Sequence, residues 1–266
     1  MAAKMSFKIK YLNNGTRMAA VAFALATAAS MSGCTVNPNT PISLGDVGQS
    51  ITIDDDRYVR AYVNAKVIDA NQVVPGIGYA ATPMITAAAR NGSLSVLRYL
   101  ISAKADLNAR TPDRDTAVML AAHFADEDRE RNAPSTMRYD QAVRMLAEAG
   151  ASLENSDENA FTALAYAAYA GRDRTVTYLL EKGAKVNGMA HGRLAYAATP
   201  LMMAAMQGHR DIAMQILRAG ADANVRIQNG MSAAELAQKN NHGHLLRALK
   251  CAESLKTGET FRGRCE

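Results

Sequence analysis

The chain repeats itself, and the period of that repetition limits its fold more tightly than any single motif. Five segments align on a hydroxyl residue: Thr82-Pro83-Met84, Thr116-Ala117-Val118, Thr162-Ala163-Leu164, Thr199-Pro200-Leu201 and Ser232-Ala233-Ala234. Their spacings are 34, 46, 37 and 33 residues. Each start leads to an alanine doublet: Ala88-Ala89, Ala121-Ala122, Ala167-Ala168 and Ala204-Ala205, with Ala237 alone in the last. A second apolar stretch then closes at Lys104–Asn108, Gly150–Glu154, Gly183–Asn187 and Gly220–Asn224. Units this small cannot bury their own apolar faces, so neighbouring units must stack to make the core.

Each unit reads as two short helices. Thr or Ser suits the N-cap, and Pro at the next position has its φ already set for a helix start. The alanine doublets permit close helix–helix approach. Gly92, Gly171 and Gly208 break the chain between the helices. Leu97–Ile101, Val176–Leu180 and Ile212–Leu217 place apolar residues at helical spacing on the second helix, which Gly150, Gly183 and Gly220 end with a left-handed cap. This set of recurring positions resembles the ankyrin repeat, whose hallmark is T-P-L-H-x-A at a period of 33. The resemblance implies an all-α fold: an ankyrin-repeat solenoid of helix-turn-helix units joined by β-hairpin-like loops. It departs from the family at the fourth hallmark position, where Ile85, Met119, Ala165, Met202 and Glu235 replace His. Lys104 also stands where a capping Gly is expected, and the first full repeat is one residue longer between Thr82 and Gly92 than its siblings.

The expected organisation is a signal peptide over 1–33, a flexible tether over 34–53, a repeat domain over 54–250 and a tail over 251–266. Within the domain, Asp54–Asn71 reads as an N-terminal half-repeat, four repeats follow, and the polar helix 232–250 caps the stack. Asp54-Asp55-Asp56 is then a helix start favoured by the macrodipole. The second repeat carries thirteen extra residues, about Asp126–Arg138, charged and interrupted by Pro134, which predict a solvated loop or helix extension.

The net charge of +5 suggests nucleic acid, but Lys4, Lys8, Lys10 and Arg17 all precede Cys34 with no acid among them. Without them the body carries +1, so no nucleic-acid partner is expected. Those cations, the apolar run Met18–Ala29 and the small residues after it have the layout of a secretory signal. The run is shorter than the ~20 apolar residues of a membrane span. Met31-Ser32-Gly33-Cys34 resembles the lipobox of bacterial lipoproteins, in which the Cys is acylated; the alternative is a plain secretory signal. Thr35, rather than Asp, after the Cys is what similar lipoproteins sorted to the outer membrane show, so the expected place is the outer membrane, facing the periplasm. In that compartment Cys251 and Cys265 are expected to pair, the alternative being two unrelated thiols.

Motifs for catalysis are absent: no GxxxxGK[ST], HExxH or GxSxG pattern occurs, so a non-enzymatic protein without cofactor is expected. His242-Gly243-His244 is a weak metal motif, and Met202, Met203, Met206 and Met214 read as core filling rather than a copper site. The resemblance implies binding of another protein on the concave face. Mapped onto this chain, the hairpin tips offer Arg110, Asp113, Arg114, Asp157, Glu158, His191, Arg193, Tyr196, Arg226 and Gln228. The inner helices offer Arg90, Asn91, His123, Phe124, Tyr169, Met206 and Gln207, with Lys239 at the cap. A binding stack on a bacterial lipoprotein looks like immunity proteins that neutralise secreted toxins, including phospholipases delivered by type VI secretion. The competing reading is a periplasmic scaffold or stress-response factor that steadies an envelope enzyme.

Overall fold

The computed structural model describes residues 43–76, 79–124, 134–188, 198–227, 230–256 and 258–265, with backbone only for 134–136. The signal peptide and Cys34 therefore lie outside the described residues. The residues described fall within one unit, Pro41–Glu266.

Short helices alternate along it. α1 (Leu44–Thr52) and α2 (Asp56–Asn64) form a first pair, followed by a small antiparallel ribbon of β1 (Val73–Val74) and β2 (Thr82–Pro83). Further pairs are α3 (Met84–Asn91) with α4 (Leu94–Ser102), α5 (Ala117–His123) with α6 (Pro134–Glu148), and α7 (Ala163–Tyr169) with α8 (Asp173–Glu181). Then come α9 (Pro200–Gln207) with α10 (Arg210–Arg218), and α11 (Ala233–Lys239) with α12 (Leu246–Glu253), a 3-10 turn at Gly243–Leu245 lying between the last two. α13 (Phe261–Arg264) closes the chain. The odd-numbered helices α1 to α11 pack in sequence as an inner row, and α2, α4, α6, α8 and α10 as an outer row. The all-α solenoid expected from the repeat is the fold observed.

The alanine doublets lie in the seam: Ala88, Ala89, Ala121, Ala122, Ala167, Ala168, Ala204 and Ala205 are all fully buried. Larger apolar residues from both rows, including Leu97, Leu100, Leu146, Leu179, Leu201 and Ile216, fill the space between. Truncating any of these leucines to Ala is expected to cost about 2–5 kcal/mol.

Two ladders of side-chain hydrogen bonds tie each repeat to the next. In the first, a residue from the second half of one repeat reaches a carbonyl at the end of the inner helix of the repeat before it. Ser93 donates to Ile51 O (2.5 Å), Tyr139 to Arg90 O (3.0 Å) and Arg172 to Phe124 O (3.2 Å). His209 bonds Tyr169 O (3.1 Å) and His242 bonds Met206 O (3.1 Å) through Nε2. In the second ladder, Asn71, Asn108, Glu154 and Asn187 accept from the backbone N–H of Asp106, Ser152, Lys185 and Asp222 at 2.6–3.0 Å. Glycine makes the first ladder possible. Gly208 has φ +75°, and a Cβ there would lie 2.5 Å from His242 Nδ1; at Gly171 (φ +72°) it would lie 2.8 Å from His209 Cε1. The left-handed backbone and the close approach of the next repeat both demand the absence of a side chain.

Several expectations need correction. The segment read as tether carries α1, whose Val47 and Ile51 are fully buried, and so the half-repeat is a complete helix pair. Leu44, Val47 and Ile51 supply the apolar stripe, while Gly48 lets Pro75 O come close enough that a Cβ would stand 2.5 Å from it. Of the acidic triplet, only Asp55 caps α2, accepting from Arg57 N (3.1 Å). Asp54 takes the left-handed position (φ 58°), and its carboxylate accepts from Ser95 N and Val96 N, capping α4 of the next repeat. Thr82 does not cap α3: the extra residue of that repeat is taken up in β2, and Pro83 is the N-cap. Pro134 opens α6 rather than interrupting it, as its fixed φ permits at a first turn. Residues 125–133 lie outside the described residues. The expected Cys251–Cys265 pair, by contrast, is bonded, and in the tail it holds, α13 packs against α10 with Phe261 only 4% exposed.

Backbone strain gives a paired test. Lys104 sits at φ +61°, so Lys104→Gly is expected to stabilise by about 1 kcal/mol. Gly208→Ala is expected to destabilise by about 1–3 kcal/mol. Urea unfolding midpoints should move in opposite directions; a Gly208→Ala protein as stable as wild type would contradict the ladder geometry.

Candidate functional site

Inner helices end in step, and their last residues form a row along the stack: Arg90-Asn91, His123-Phe124, Tyr169, Met206-Gln207 and Lys239. The first ladder fixes this row, since the carbonyls it engages belong to Arg90, Phe124, Tyr169 and Met206. Side chains of the row are therefore presented from backbone held by the following repeat.

The first half of the row is aromatic and cationic. The Arg90 guanidinium carbon lies 4.4 Å from the centre of the Tyr79 ring and 4.5 Å from that of Phe124. Such stacking favours a desolvated guanidinium. Asn91 donates to Tyr79 Oη at 3.4 Å. Burial pushes the Tyr79 hydroxyl up, partly offset by Asn91 and by the nearby Arg90 charge. The His123 ring packs edge-on against Phe124 (5.0 Å) and Tyr166 (5.1 Å) and stacks against Tyr169 (6.1 Å). Its Nδ1 is enclosed without a hydrogen-bond partner. Burial, reinforced by the Arg90 charge, lowers its pKa from 6.5 to about 4, so at neutral pH the ring is uncharged. Tyr79 and Tyr166 were not singled out from sequence. Tyr79 stands in a hairpin far along the chain from Phe124, and Tyr166 reads as part of the core stripe of α7.

Below the row, the Tyr166 hydroxyl lies 2.9 Å from Asp157 Oδ2 and 3.3 Å from Asp115 Oδ1. Asp157, expected at an exposed tip, is 5% exposed. Its carboxylate accepts from Phe161 N (2.7 Å) and Asn159 N (3.0 Å), folding the turn that a presented side chain would leave open. Arg110, also expected as a contact, is half-buried and donates to Ser156 O (2.7 Å) and Asn155 Oδ1 (2.9 Å), joining two successive hairpins. Arg226 is exposed but turns back to Gly230 O and Glu235. Arg114 and Glu158 are exposed and Asp113 half-buried. His191, Arg193, Tyr196 and Gln228 lie outside the described residues.

The second half of the row is plainer: Met206 is half-buried, and Gln207 and Lys239 are exposed. Met202 and Met203 are buried in the core. His242 and His244 each bond a backbone carbonyl of the preceding repeat, Met206 O and Gly208 O, which accounts for both rings structurally. Among the described residues no group of three or more His, Cys, Asp or Glu could hold a metal ion. What the arrangement offers is a row of fixed, partly buried side chains.

The family described as "Ankyrin repeats (3 copies)" matches residues 85–190, and "Ankyrin repeat" matches 198–230, together about half of the chain. The chain belongs to the ankyrin-repeat family, whose repeats serve protein–protein interaction. It is 37% identical over 107 residues to an ankyrin repeat-containing protein of Treponema pallidum (strain Nichols), covering 40% of this chain and 35% of that protein. It is 39% identical over 90 residues to palmitoyltransferase Hip14 of Drosophila melanogaster, covering 34% of this chain and 14% of that one. A third relative is the ankyrin repeat and KH domain-containing protein mask-1 of Caenorhabditis elegans, 30% identical over 154 residues, 57% of this chain and 5% of that protein. The chain thus spans about a third of the Treponema protein and smaller shares of the other two.

Because His123 is held neutral, the unfolded chain binds a proton below pH 6.5 that the folded one refuses until about pH 4. Its contribution therefore weakens the fold as pH falls through that window, by on the order of 3 kcal/mol at full depth. His123→Phe should lose less stability than wild type between pH 7 and pH 4.5 in paired urea titrations. Parallel losses in the two proteins would show that His123 is solvated.

Proposed function

We propose that the chain is a lipid-anchored protein of the outer membrane, facing the periplasm, that binds and neutralises a secreted toxin, with a type VI phospholipase effector as the partner class. Acylation of Cys34 supplies the anchor, after removal of the leader over 1–33. The bonded Cys251–Cys265 pair fits an oxidising compartment. Binding is assigned to the concave face, where the inner helices end. The observation that carries this is the cluster of Arg90 over the Tyr79 and Phe124 rings, continued by His123 and Tyr169: Arg and Tyr are among the residues that dominate binding hot spots, and here they are held by their neighbours. Rigid anchors lose little conformational entropy when a partner docks. The toxin class rests on the resemblance to immunity lipoproteins, and non-enzymatic action rests on the family's use as a binding module.

Two experiments test the reading. Co-expression with the cognate exported toxin should restore growth, and Arg90→Glu should abolish that rescue in a protein whose circular dichroism and cooperative urea unfolding show that it remains folded. Absence of rescue by the wild type refutes toxin neutralisation; capture of an envelope enzyme in its place would favour the scaffold. Cys34→Ser should shift the protein from the membrane to the soluble periplasmic fraction, and retention of that variant in membranes would refute the anchor.

A further inference from the structure

The two ends of the stack are finished differently. Terminal repeats of a solenoid need a polar outer face, because no neighbour covers them. At the C-terminal end this is met: Gln238, Lys239, Asn240 and Asn241 are exposed, while Phe261 is turned inward on the segment that the disulfide holds. The N-terminal end is otherwise. Five large apolar residues stand exposed among the described residues, and four of them belong to the first helix pair and its loops: Ile53 (51%), Tyr58 (40%), Val67 (38%) and Val73 (45%).

The geometry of α2 shows which way this surface points. Arg60 lies over the Tyr99 ring of the next repeat at 4.6 Å, and Asn64 accepts from Tyr99 Oη at 2.9 Å, so this row of α2 faces along the stack. Tyr58 and Tyr62 form the row about 200° around the helix from it. They stack on each other at 6.5 Å, with Tyr58 exposed and Tyr62 half-buried against the core. Charge is not the attraction here. Arg57 and Arg60 are paired with Asp55 and Asp56, and the segment holds more acids than bases, so neither nucleic acid nor an acidic protein is favoured. A surface of Tyr, Val and Ile without cationic excess fits the interfacial layer of a phospholipid bilayer, where tyrosine is enriched.

Chain length brings the two together. Ten residue steps separate Cys34 from Leu44, a reach of at most ~36 Å when fully extended. We infer that the N-terminal end of the stack, through Tyr58, Val67 and their neighbours, rests on the membrane surface to which Cys34 is anchored. This rests on the acylation of Cys34 proposed above. A patch too weak to bind vesicles alone is occupied under such a tether, because the effective concentration of the surface is then in the millimolar range.

The chain has ten tyrosines but no tryptophan, so a substituted tryptophan excited at its red edge is the single emitter. The full-length lipidated protein carrying Tyr58→Trp, and a control carrying Lys239→Trp, would be placed in phosphatidylethanolamine–phosphatidylglycerol vesicles with doxyl-labelled acyl chains. The expected result is flotation of both proteins, with the emission from Tyr58→Trp blue-shifted and quenched at least twofold more than that from Lys239→Trp. Flotation with equal quenching of the two overturns the inference while leaving the anchor standing. Failure of both to float overturns the anchor, and the inference with it. A blue shift at Tyr58→Trp without quenching, together with a doubled mass in sedimentation of the detergent-solubilised protein, assigns the face to a second copy and also overturns it.

Discussion

A helix of eight residues leaves half of its carbonyls without a partner inside itself. Here one of those carbonyls in each of five inner helices, or in the residue just beyond, is taken up by the repeat that follows. The chemistry of the donor is free: Ser93, Tyr139, Arg172, His209 and His242 occupy the same role with five different reaches. What stays constant is the need for space beside the carbonyl, and Gly171 and Gly208 provide it. Backbone satisfaction and repeat stacking are therefore one event, and neither unit could be completed alone.

That requirement also organises the row at the inner-helix ends. Side chains at inner-helix ends would ordinarily be the frayed part of a short helix. Tied from the next repeat, they become the most constrained positions on an otherwise open face. Arg90 is the clearest instance, with Tyr139 on its carbonyl and two rings about its guanidinium. The proposed contact surface and a structural joint thus share the same residues.

The parts legible in the sequence are those dictated by local backbone chemistry. Thr162, Thr199 and Ser232 as caps, Gly150, Gly183 and Gly220 as left-handed ends, and the alanine seam all follow from what single residues prefer. The parts that were not legible depend on distant partners. The need for Gly48 in α1 is not visible locally, because the carbonyl that makes it necessary belongs to Pro75. Asp54 looked like its own helix start, although its carboxylate serves a helix some forty residues away. Asp157 carries the polarity of a surface residue and is buried by a turn that its own side chain folds. At the site, the position of Arg90 could be read from its place in the repeat, but not the hairpin ring of Tyr79 that covers it.

The covalent link at the C-terminal end has a consequence of a different kind. Cys251 belongs to the last long helix and Cys265 to the segment beyond α13, with Phe261 between them in the folded core. An endopeptidase that cuts anywhere between the two cysteines severs the main chain without releasing a fragment. The plug at that end stays seated after nicking, and the protein survives such a cut in one piece.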